Sequence, residues 1–129
     1  MSVITQKRWL SGKVIAGRGL AKTLGYPTVN LDNPEIMKSK KQGVYLCKLN
    51  FDNKYYFGLL YYGPRLVLGE EHNILEIYII GFLKDIYGKT IKFHLIKYIR
   101  SIMNFDNTLD LKKQIKLDFE LALKLIKYK

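Results

Sequence analysis

Two polar side chains in this sequence have the types and the spacing that binding of a cation or a phosphate requires. Thr28 and Asn30 lie two residues apart in the segment Leu24-Gly25-Tyr26-Pro27-Thr28-Val29-Asn30-Leu31. Pro27 fixes its own φ and biases the residue before it, so the segment is expected to be rigid and extended. Because side chains alternate along an extended chain, the hydroxyl and the amide project from the same face. They could serve a hard cation or phosphate oxygens, or they could simply cap a turn.

A carboxylate stands alone in a later apolar run. Glu76 is the single acidic residue in the run from Ile74 to Ile80. It either faces solvent from one side of a strand or is held at a site, where partial desolvation would raise its pKa and improve it as a proton acceptor. A proton acceptor of this kind and the Thr28–Asn30 pair of oxygen ligands are the smallest set of groups that a small kinase needs.

Length and composition set the limits of the fold. With 129 residues, the chain is expected to form a single domain, over residues 1–129, with one core. The lone Cys47 fits a buried thiol in a reducing cytoplasm, and no apolar stretch reaches membrane-spanning length. The net charge of +11 could attract nucleic acid or a polyphosphate substrate, and it could equally reflect an A/T-rich genome.

Most of the sequence has strand patterns. In chain order these are Arg8–Ala16, Val44–Phe51, Tyr55–Tyr62, Asn73–Phe82 and Thr90–Ile99. Asp52-Asn53 predicts a tight hairpin turn between the second and the third of these strands. The fourth and the fifth are expected to pair with each other across Asp85-Ile86-Tyr87-Gly88. Several short strands without intervening helices indicate a closed barrel, here over about residues 8–100.

The last segment of the chain changes to a helical pattern. Apolar residues recur at helical spacing: Leu111, Ile115, Phe119, Ala122, Leu123 and Ile126. Asn107 or Thr108 can cap the start of this helix, and Asp110 suits the positive end of its dipole. The pattern predicts one amphipathic helix over about residues 108–127, laid on the barrel.

A glycine-containing loop follows the first predicted strand. It contains Gly17-Arg18-Gly19 and is followed by Gly25. Glycines let backbone amides approach a phosphate closely, although most such loops are only turns. The loop has neither the Gly-Lys-Ser/Thr of a Walker motif nor the βαβ unit of a dinucleotide fingerprint.

Taken together, these motifs resemble the riboflavin kinase (flavokinase) family in order and spacing over most of the chain. They are Gly12-Lys13-Val14, Gly17-Arg18-Gly19, residues 24–31, Gly43-Val44-Tyr45, Glu76, residues 85–88, Arg100, Asn104-Phe105 and residues 114–118. The resemblance, which includes the kinase module of bacterial bifunctional riboflavin kinase/FMN adenylyltransferases, implies a six-stranded antiparallel Greek-key barrel with a C-terminal helix. It also implies transfer of the γ-phosphoryl group of ATP to the 5′-hydroxyl of riboflavin, giving FMN and ADP. Without an adenylyltransferase domain, this chain is expected to stop at FMN.

The same resemblance implies roles for individual residues. Glu76 is expected to be the catalytic base. The expected nucleotide-binding residues are Gly17, Gly19, Lys22, Gly25, Pro27, Thr28 and Asn30. Of these, Thr28 and Asn30 are also expected to hold Mg²⁺, or another divalent cation, with ATP. The residues expected at the flavin are Arg100, Asn104 and Phe105.

Some positions depart from the family pattern, and two alternative functions stay open. The departures include Tyr61, Tyr78, Gly81 and Ile102. One alternative is a catalytically silent relative that binds flavin or nucleotide. The other is a basic barrel that binds nucleic acid, which we do not expect because the lysines form no single strip with interleaved aromatic residues. We expect a cytoplasmic monomer whose partners are riboflavin, FMN, ATP and ADP.

Overall fold

The structure, a computed structural model, describes residues 8–16, 25–82 and 84–127. Its strands are β1 (Leu10–Ile15), β2 (Val29–Leu31), β3 (Gly43–Phe51), β4 (Lys54–Gly63), β5 (Ile74–Ile79) and β6 (Thr90–Arg100). Its α-helix, α1, is Thr108–Lys127, and two short 3-10 helices cover Pro34–Met37 and Leu66–Leu68. None of the helices in these described ranges is long and apolar enough to cross a membrane.

The strands close into a barrel in the order β1-β2-β5-β4-β3-β6, and β6 returns to β1. Every pairing is antiparallel. The sequence-based expectation of a closed six-stranded antiparallel barrel with a C-terminal helix is therefore confirmed. The short β2 was expected only as an extended segment, and it lies between β1 and β5.

The predicted hairpin between β3 and β4 is also confirmed. The two strands pair along their whole length, from Gly43 opposite Tyr62 to Phe51 opposite Lys54. The turn residues Asp52 and Asn53 have φ values of 52° and 60°. Two successive left-handed residues give a turn whose twist matches that of antiparallel strands, and Asp and Asn tolerate this conformation well.

The predicted pairing of β5 with β6 is wrong. β5 lies between β2 and β4, whereas β6 lies between β1 and β3. The segment between them, residues 80–89, is too long for a tight hairpin turn and attaches to β1 instead. The amide of Gly88 donates to the carbonyl of Val14 at 2.9 Å, and the amide of Val14 donates to the carbonyl of Lys89 at 2.8 Å. These bonds lead the chain away from β5 and start β6 alongside β1.

Alternation along the strands fills the barrel with apolar side chains. On β3, for example, Tyr45, Cys47, Leu49 and Phe51 face the main core. The largest fully buried side chains are those of Phe93, Met37, Leu46, Leu49, Leu60, Leu75, Ile77 and Ile91. Burial raises the pKa of the Cys47 thiol far above its ordinary value, so this thiol stays protonated and inert, as the sequence predicted.

Helix α1 covers the outer face of the barrel. Its Ala122 packs in a second buried cluster with Val44, Leu46 and Leu59 of β3 and β4. The helix begins after Asn107, whose Oδ1 accepts a hydrogen bond from the amide of Asp110 at 2.9 Å. Of the two predicted caps, the structure therefore selects Asn107.

A buried ion pair fixes α1 to β6. Arg100 donates to both carboxylate oxygens of Asp118, at distances of 2.8 to 3.0 Å. The two side chains are only 15% and 6% exposed. Gln114 adds a hydrogen bond to Asp118 Oδ1 at 3.0 Å, so the carboxylate is well satisfied without water.

Because that carboxylate is buried, we expect Asp118→Asn to lower the free energy of unfolding by about 3 kcal/mol, since it leaves the Arg100 guanidinium partly buried without a counter-charge. Urea denaturation measures the change. The matched control is Asp52→Asn, which removes an exposed partner of Lys89; these two side chains are 59% and 48% exposed. The control should cost less than about 1 kcal/mol. Similar losses in the two variants would contradict the stabilising role of the buried pair.

Candidate active site

The pairing of β2 with β5 brings the predicted chemical groups together. Asn30 lies directly opposite Glu76 in the register of the two strands. Side chains directly opposite each other in an antiparallel pair emerge on the same face and contact one another. Thr28, just before β2, donates from Oγ1 to Glu76 Oε2 at 3.1 Å. The side chain of Glu76 is only 18% exposed, so it does not simply face solvent.

Arg65 joins this group, and the sequence analysis gave it no role. Its Nη2 donates to Asn30 Oδ1 at 2.8 Å and lies 3.7 Å from Glu76 Oε2. Its Nη1 is 3.3 Å from Glu70 Oε1. The sequence contains one indication of Arg65: it is a cationic residue two positions after Gly63, the glycine at which the apolar strand β4 ends. That signal is weak until the partner strand is known.

The surroundings of Glu76 make its carboxylate a stronger base. Burial raises the pKa of Glu76 above its ordinary value, and the nearby Glu70 adds to that rise. The charge of Arg65 and the hydrogen bond from Thr28 oppose it. Desolvation is the largest effect, so this carboxylate binds a proton more readily than an exposed glutamate does.

Glu76 lies on the wall of a mainly apolar cleft. The cleft has a volume of about 110 Å³ and lies between the barrel, the segment after β6 and α1. Its lining residues include Tyr26, Thr28, Val44, Leu59, Tyr61, Tyr78, Arg65, Glu76, Arg100, Met103, Phe105, Leu111 and Ile115. This volume is smaller than that of most sites for drug-sized ligands, so an aromatic ligand would have to displace part of the wall.

Two tyrosines at positions that depart from the family pattern form part of this wall. Burial and the neighbouring carboxylate of Glu76 raise the pKa of Tyr61 to about 12, and its hydroxyl donates to the carbonyl of Pro64. Tyr78 packs edge-on against Tyr26, with ring centroids 5.7 Å apart, and against Phe119 at 5.8 Å. Both side chains therefore shape the cleft and hold no negative charge near neutral pH.

The residues expected at the flavin are only partly brought together. Arg100 and Phe105 line the cleft. The guanidinium of Arg100 is held by Asp118, so it braces the wall between β6 and α1. Asn104 is exposed, and its Oδ1 accepts a hydrogen bond from the amide of Phe105 at 2.9 Å. Asn104 is not among the residues that line the cleft.

Of the residues expected at the nucleotide, Thr28 lines the cleft, whereas Asn30 lines a second hollow, of about 430 Å³. Asn30 and Arg65 line it together with Ile15, Asp32 and His72. Gly25, with φ of 93°, and the half-buried Pro27 precede β2. Gly17, Gly19 and Lys22 lie outside the described residues. Arg65 thus borders both the cleft and the second hollow, and Asn30 belongs to the second hollow.

The donor set fits a hard cation only in part. Thr28 and Asn30 offer neutral oxygens, and Glu76 offers a carboxylate. Among residues 8–16, 25–82 and 84–127, no group of three or more His, Cys, Asp or Glu side chains could hold a metal. A Mg²⁺ ion at Thr28 and Asn30 would therefore need phosphate and water oxygens to complete its shell, which is its usual mode of binding beside a nucleotide.

Comparison with known sequences gives consistent relatives. The riboflavin kinase family, described as "Flavokinase: Riboflavin kinase", matches residues 5–126. The chain is 34% identical over 115 residues to the trifunctional protein RibF/MnmA of Mycoplasmoides gallisepticum, covering 89% of this chain and 18% of that protein. It is 31% identical to the RNA-binding riboflavin kinase RibR of Bacillus subtilis, covering 89% and 50%. A bifunctional riboflavin kinase/FMN adenylyltransferase of Buchnera aphidicola subsp. Schizaphis graminum is 33% identical, covering 89% and 38%. The chain thus spans half or less of the length of these relatives.

Solved structures share the fold. A macrolide-efflux protein from Streptococcus pneumoniae superimposes with a TM-score of 0.72 at 27% identity, covering 88% of this chain and 38% of that one. Riboflavin kinase from Trypanosoma brucei superimposes with a TM-score of 0.66 at 22% identity, covering 98% and 82%. The family match covers nearly the whole chain, and the closed barrel agrees with it. The chain therefore belongs to the flavokinase, or riboflavin kinase, family.

Proposed function

We propose that this chain transfers the γ-phosphoryl group of ATP to the 5′-hydroxyl of riboflavin, giving FMN and ADP. The observation that carries the proposal is the position of Glu76. Its carboxylate lies on the wall of an aromatic cleft and contacts Thr28, while Asn30 stands opposite it on the neighbouring strand. A base, oxygen ligands for phosphate chemistry and an apolar binding cleft thus meet within one cluster.

On the acceptor side, the cleft suits a molecule with a flat aromatic ring and a polar tail. Tyr26, Tyr61 and Tyr78 supply aromatic walls, and Arg100 and Phe105 border the same space. With the ring among these residues, the terminal hydroxyl of the tail would lie at Glu76. The carboxylate would orient that hydroxyl and accept its proton as the new bond forms. We also propose that Asn104 contacts the flavin. Because Asn104 does not line the cleft in this structure, the exposed segment that carries it would have to move towards the ligand.

On the donor side, Thr28 and Asn30 are the proposed ligands for a divalent cation and for the phosphates of ATP. The cation, when bound, neutralises charge that develops on the phosphates. Gly17, Gly19, Lys22, Gly25 and Pro27 are proposed to hold the nucleotide from the loop before β2. In phosphoryl transfer, the protein mainly aligns the donor with the acceptor and stabilises the developing charge. The proposed nucleotide-side and acceptor-side residues would do both. We further propose that the chain acts as a monomer in the cytoplasm.

Replacing the proposed base should slow the reaction without unfolding the protein. We expect Glu76→Gln to lower kcat for FMN formation on the order of 10²- to 10⁴-fold, because the substituted amide cannot accept the proton. The measurement is FMN production from riboflavin and Mg·ATP, with circular dichroism to confirm the fold. Glu71→Gln, at an exposed position outside the cleft, is the matched control and should retain activity. A Glu76→Gln protein as active as the wild type would contradict the assigned role of this carboxylate.

The same carboxylate should make the rate sensitive to acid. Since burial raises the pKa of Glu76 in the ligand-free protein, the base becomes protonated, and kcat/KM falls, at a higher pH than for an ordinary glutamate. Thr28→Val removes a hydrogen bond that favours the charged form, so it should raise this pKa further. A carbon-13 NMR titration of Glu76 in the ligand-free protein measures the shift directly. Thr28→Ser keeps the hydroxyl and should titrate like the wild type; equal titration of all three proteins would contradict the hydrogen bond.

A divalent cation should be required for turnover, because the neutral side chains of Thr28 and Asn30 cannot themselves neutralise the negative charge of the phosphates. Chelation with EDTA is expected to abolish FMN formation, and added Mg²⁺ to restore it. Undiminished turnover after chelation would refute the assignment of Thr28 and Asn30 as cation ligands.

A further inference from the structure

Arg65 is the one described cation that contacts both strands of the catalytic cluster. Its side chain is only 8% exposed. It donates to Asn30 on β2 at 2.8 Å, lies 3.7 Å from the carboxylate of Glu76 on β5, and pairs with Glu70 at 3.3 Å. A buried guanidinium with three such neighbours occupies a defined position, since moving it would break its contacts with all three.

The backbone around Arg65 is also fixed. The hydroxyl of Tyr61 donates to the carbonyl of Pro64, directly before Arg65. The carbonyl of Arg65 accepts hydrogen bonds from the amides of Leu68 and Glu70, at 3.0 and 3.3 Å. Between those two residues, Gly69 has a left-handed φ of 70° that turns the chain back. The loop therefore holds both Arg65 and its partner Glu70 in place beside β5.

The contact with Asn30 sets the direction of an amide. A guanidinium has donors only, so the atom of Asn30 that faces it must be the oxygen. Without Arg65, the amide could rotate and turn its NH₂ group towards the place where the oxygen now lies. An NH₂ group there could not bind a cation.

The charges of the cluster also depend on Arg65. Glu70, Glu76 and Arg65 together carry one net negative charge when both acids are ionised. Loss of Arg65 would leave two carboxylates close together in a half-buried place, and their repulsion would separate them. The direction of the Glu76 carboxylate therefore depends on a cation that stands between it and Glu70.

We propose that Arg65 is a positioning residue, which holds the Asn30 oxygen for the nucleotide side and the Glu76 carboxylate for the acceptor side in one fixed arrangement. The proposal rests on the proposed function, because it assigns Arg65 to the two halves of that reaction. Arg65 acts through Asn30 and Glu76, and Glu70 anchors it. Arg65 lines both the cleft and the second hollow, so it lies between the acceptor side and the nucleotide side of the proposed reaction.

The decisive variant is Arg65→Lys, which keeps the positive charge but loses the planar fork that spans Asn30 and Glu70. If Arg65 only neutralises buried acids, lysine should serve nearly as well. If it positions them, kcat should fall about 10- to 100-fold, because small misplacements of reacting groups are costly. KM for riboflavin should change by less than about threefold, since Arg65 is not an apolar wall of the cleft.

A second readout does not need turnover. Calorimetric titration of the protein with Mg·ADP should give an affinity about 10-fold lower in Arg65→Lys than in the wild type, because the Asn30 oxygen is no longer fixed. Glu70→Gln should change kcat and the Mg·ADP affinity in the same direction by a smaller factor, and the double variant should lose less than the product of the two. Lys89→Met, at an exposed ion pair far along the chain, is the control and should match the wild type.

Thermal melting of each variant separates positioning from folding. An Arg65→Lys protein that melts at a lower temperature but keeps kcat and Mg·ADP affinity within about twofold of the wild type, while folded, overturns the proposal. If Arg65→Lys lowers kcat and Mg·ADP affinity but Glu70→Gln changes neither, Glu70 does not anchor Arg65. If the wild type binds Mg·ADP but does not phosphorylate riboflavin, the proposed function fails, and the calorimetric comparison still decides the role of Arg65. If the wild type does not bind Mg·ADP, both proposals fail.

Discussion

The pairing of β2 with β5 is the contact on which the candidate site depends. β2 has only three residues, yet its register sets Asn30 opposite Glu76 and Val29 opposite Ile77. Because side chains alternate along each strand, this register turns Leu31, Leu75 and Ile77 into the core while the polar pair faces the other way. A slip of one residue in either strand would turn its polar side chain towards the core and its apolar side chains away from it. The packing of the barrel and the geometry of its polar cluster thus enforce the same alignment.

Charge and desolvation act against each other at this cluster, and the balance defines its chemistry. Burial favours protonated Glu76, whereas Arg65 and Thr28 favour its charged form. A carboxylate held between these influences is a better proton acceptor than one in water. The aromatic side chains around it, chiefly Tyr26, Tyr61 and Tyr78, keep the local environment poor in water without adding charge.

Local sequence patterns predicted local structure well. The Asp52-Asn53 turn forms as expected because its two left-handed residues need nothing from the rest of the chain. Thr28, Asn30 and Glu76 were singled out as candidates because alternation and an isolated charge are visible within a few residues, and the structure brings the three side chains close together. The pairing of β5 with β6 was predicted wrongly, since neighbours in sequence were taken as neighbours in the sheet. Arg65 was missed for the same reason: its partners Asn30 and Glu76 come from strands that only the closed barrel brings to it. Asn104 belongs to a family motif, but its side chain accepts a hydrogen bond from the amide of the next residue, Phe105.

Closure of the barrel has a consequence for how this unit combines with others. In the described strands, each one is paired on both sides, so the sheet presents no unpaired edge for another chain to extend. The match covers half or less of each of the three relatives compared by sequence, so they carry further segments. Where the strands pair, their main-chain hydrogen bonds are already used, so such segments would attach there by side-chain contacts with the outer surface or by the loops. Such a barrel can be joined to unrelated neighbours without altering its own register.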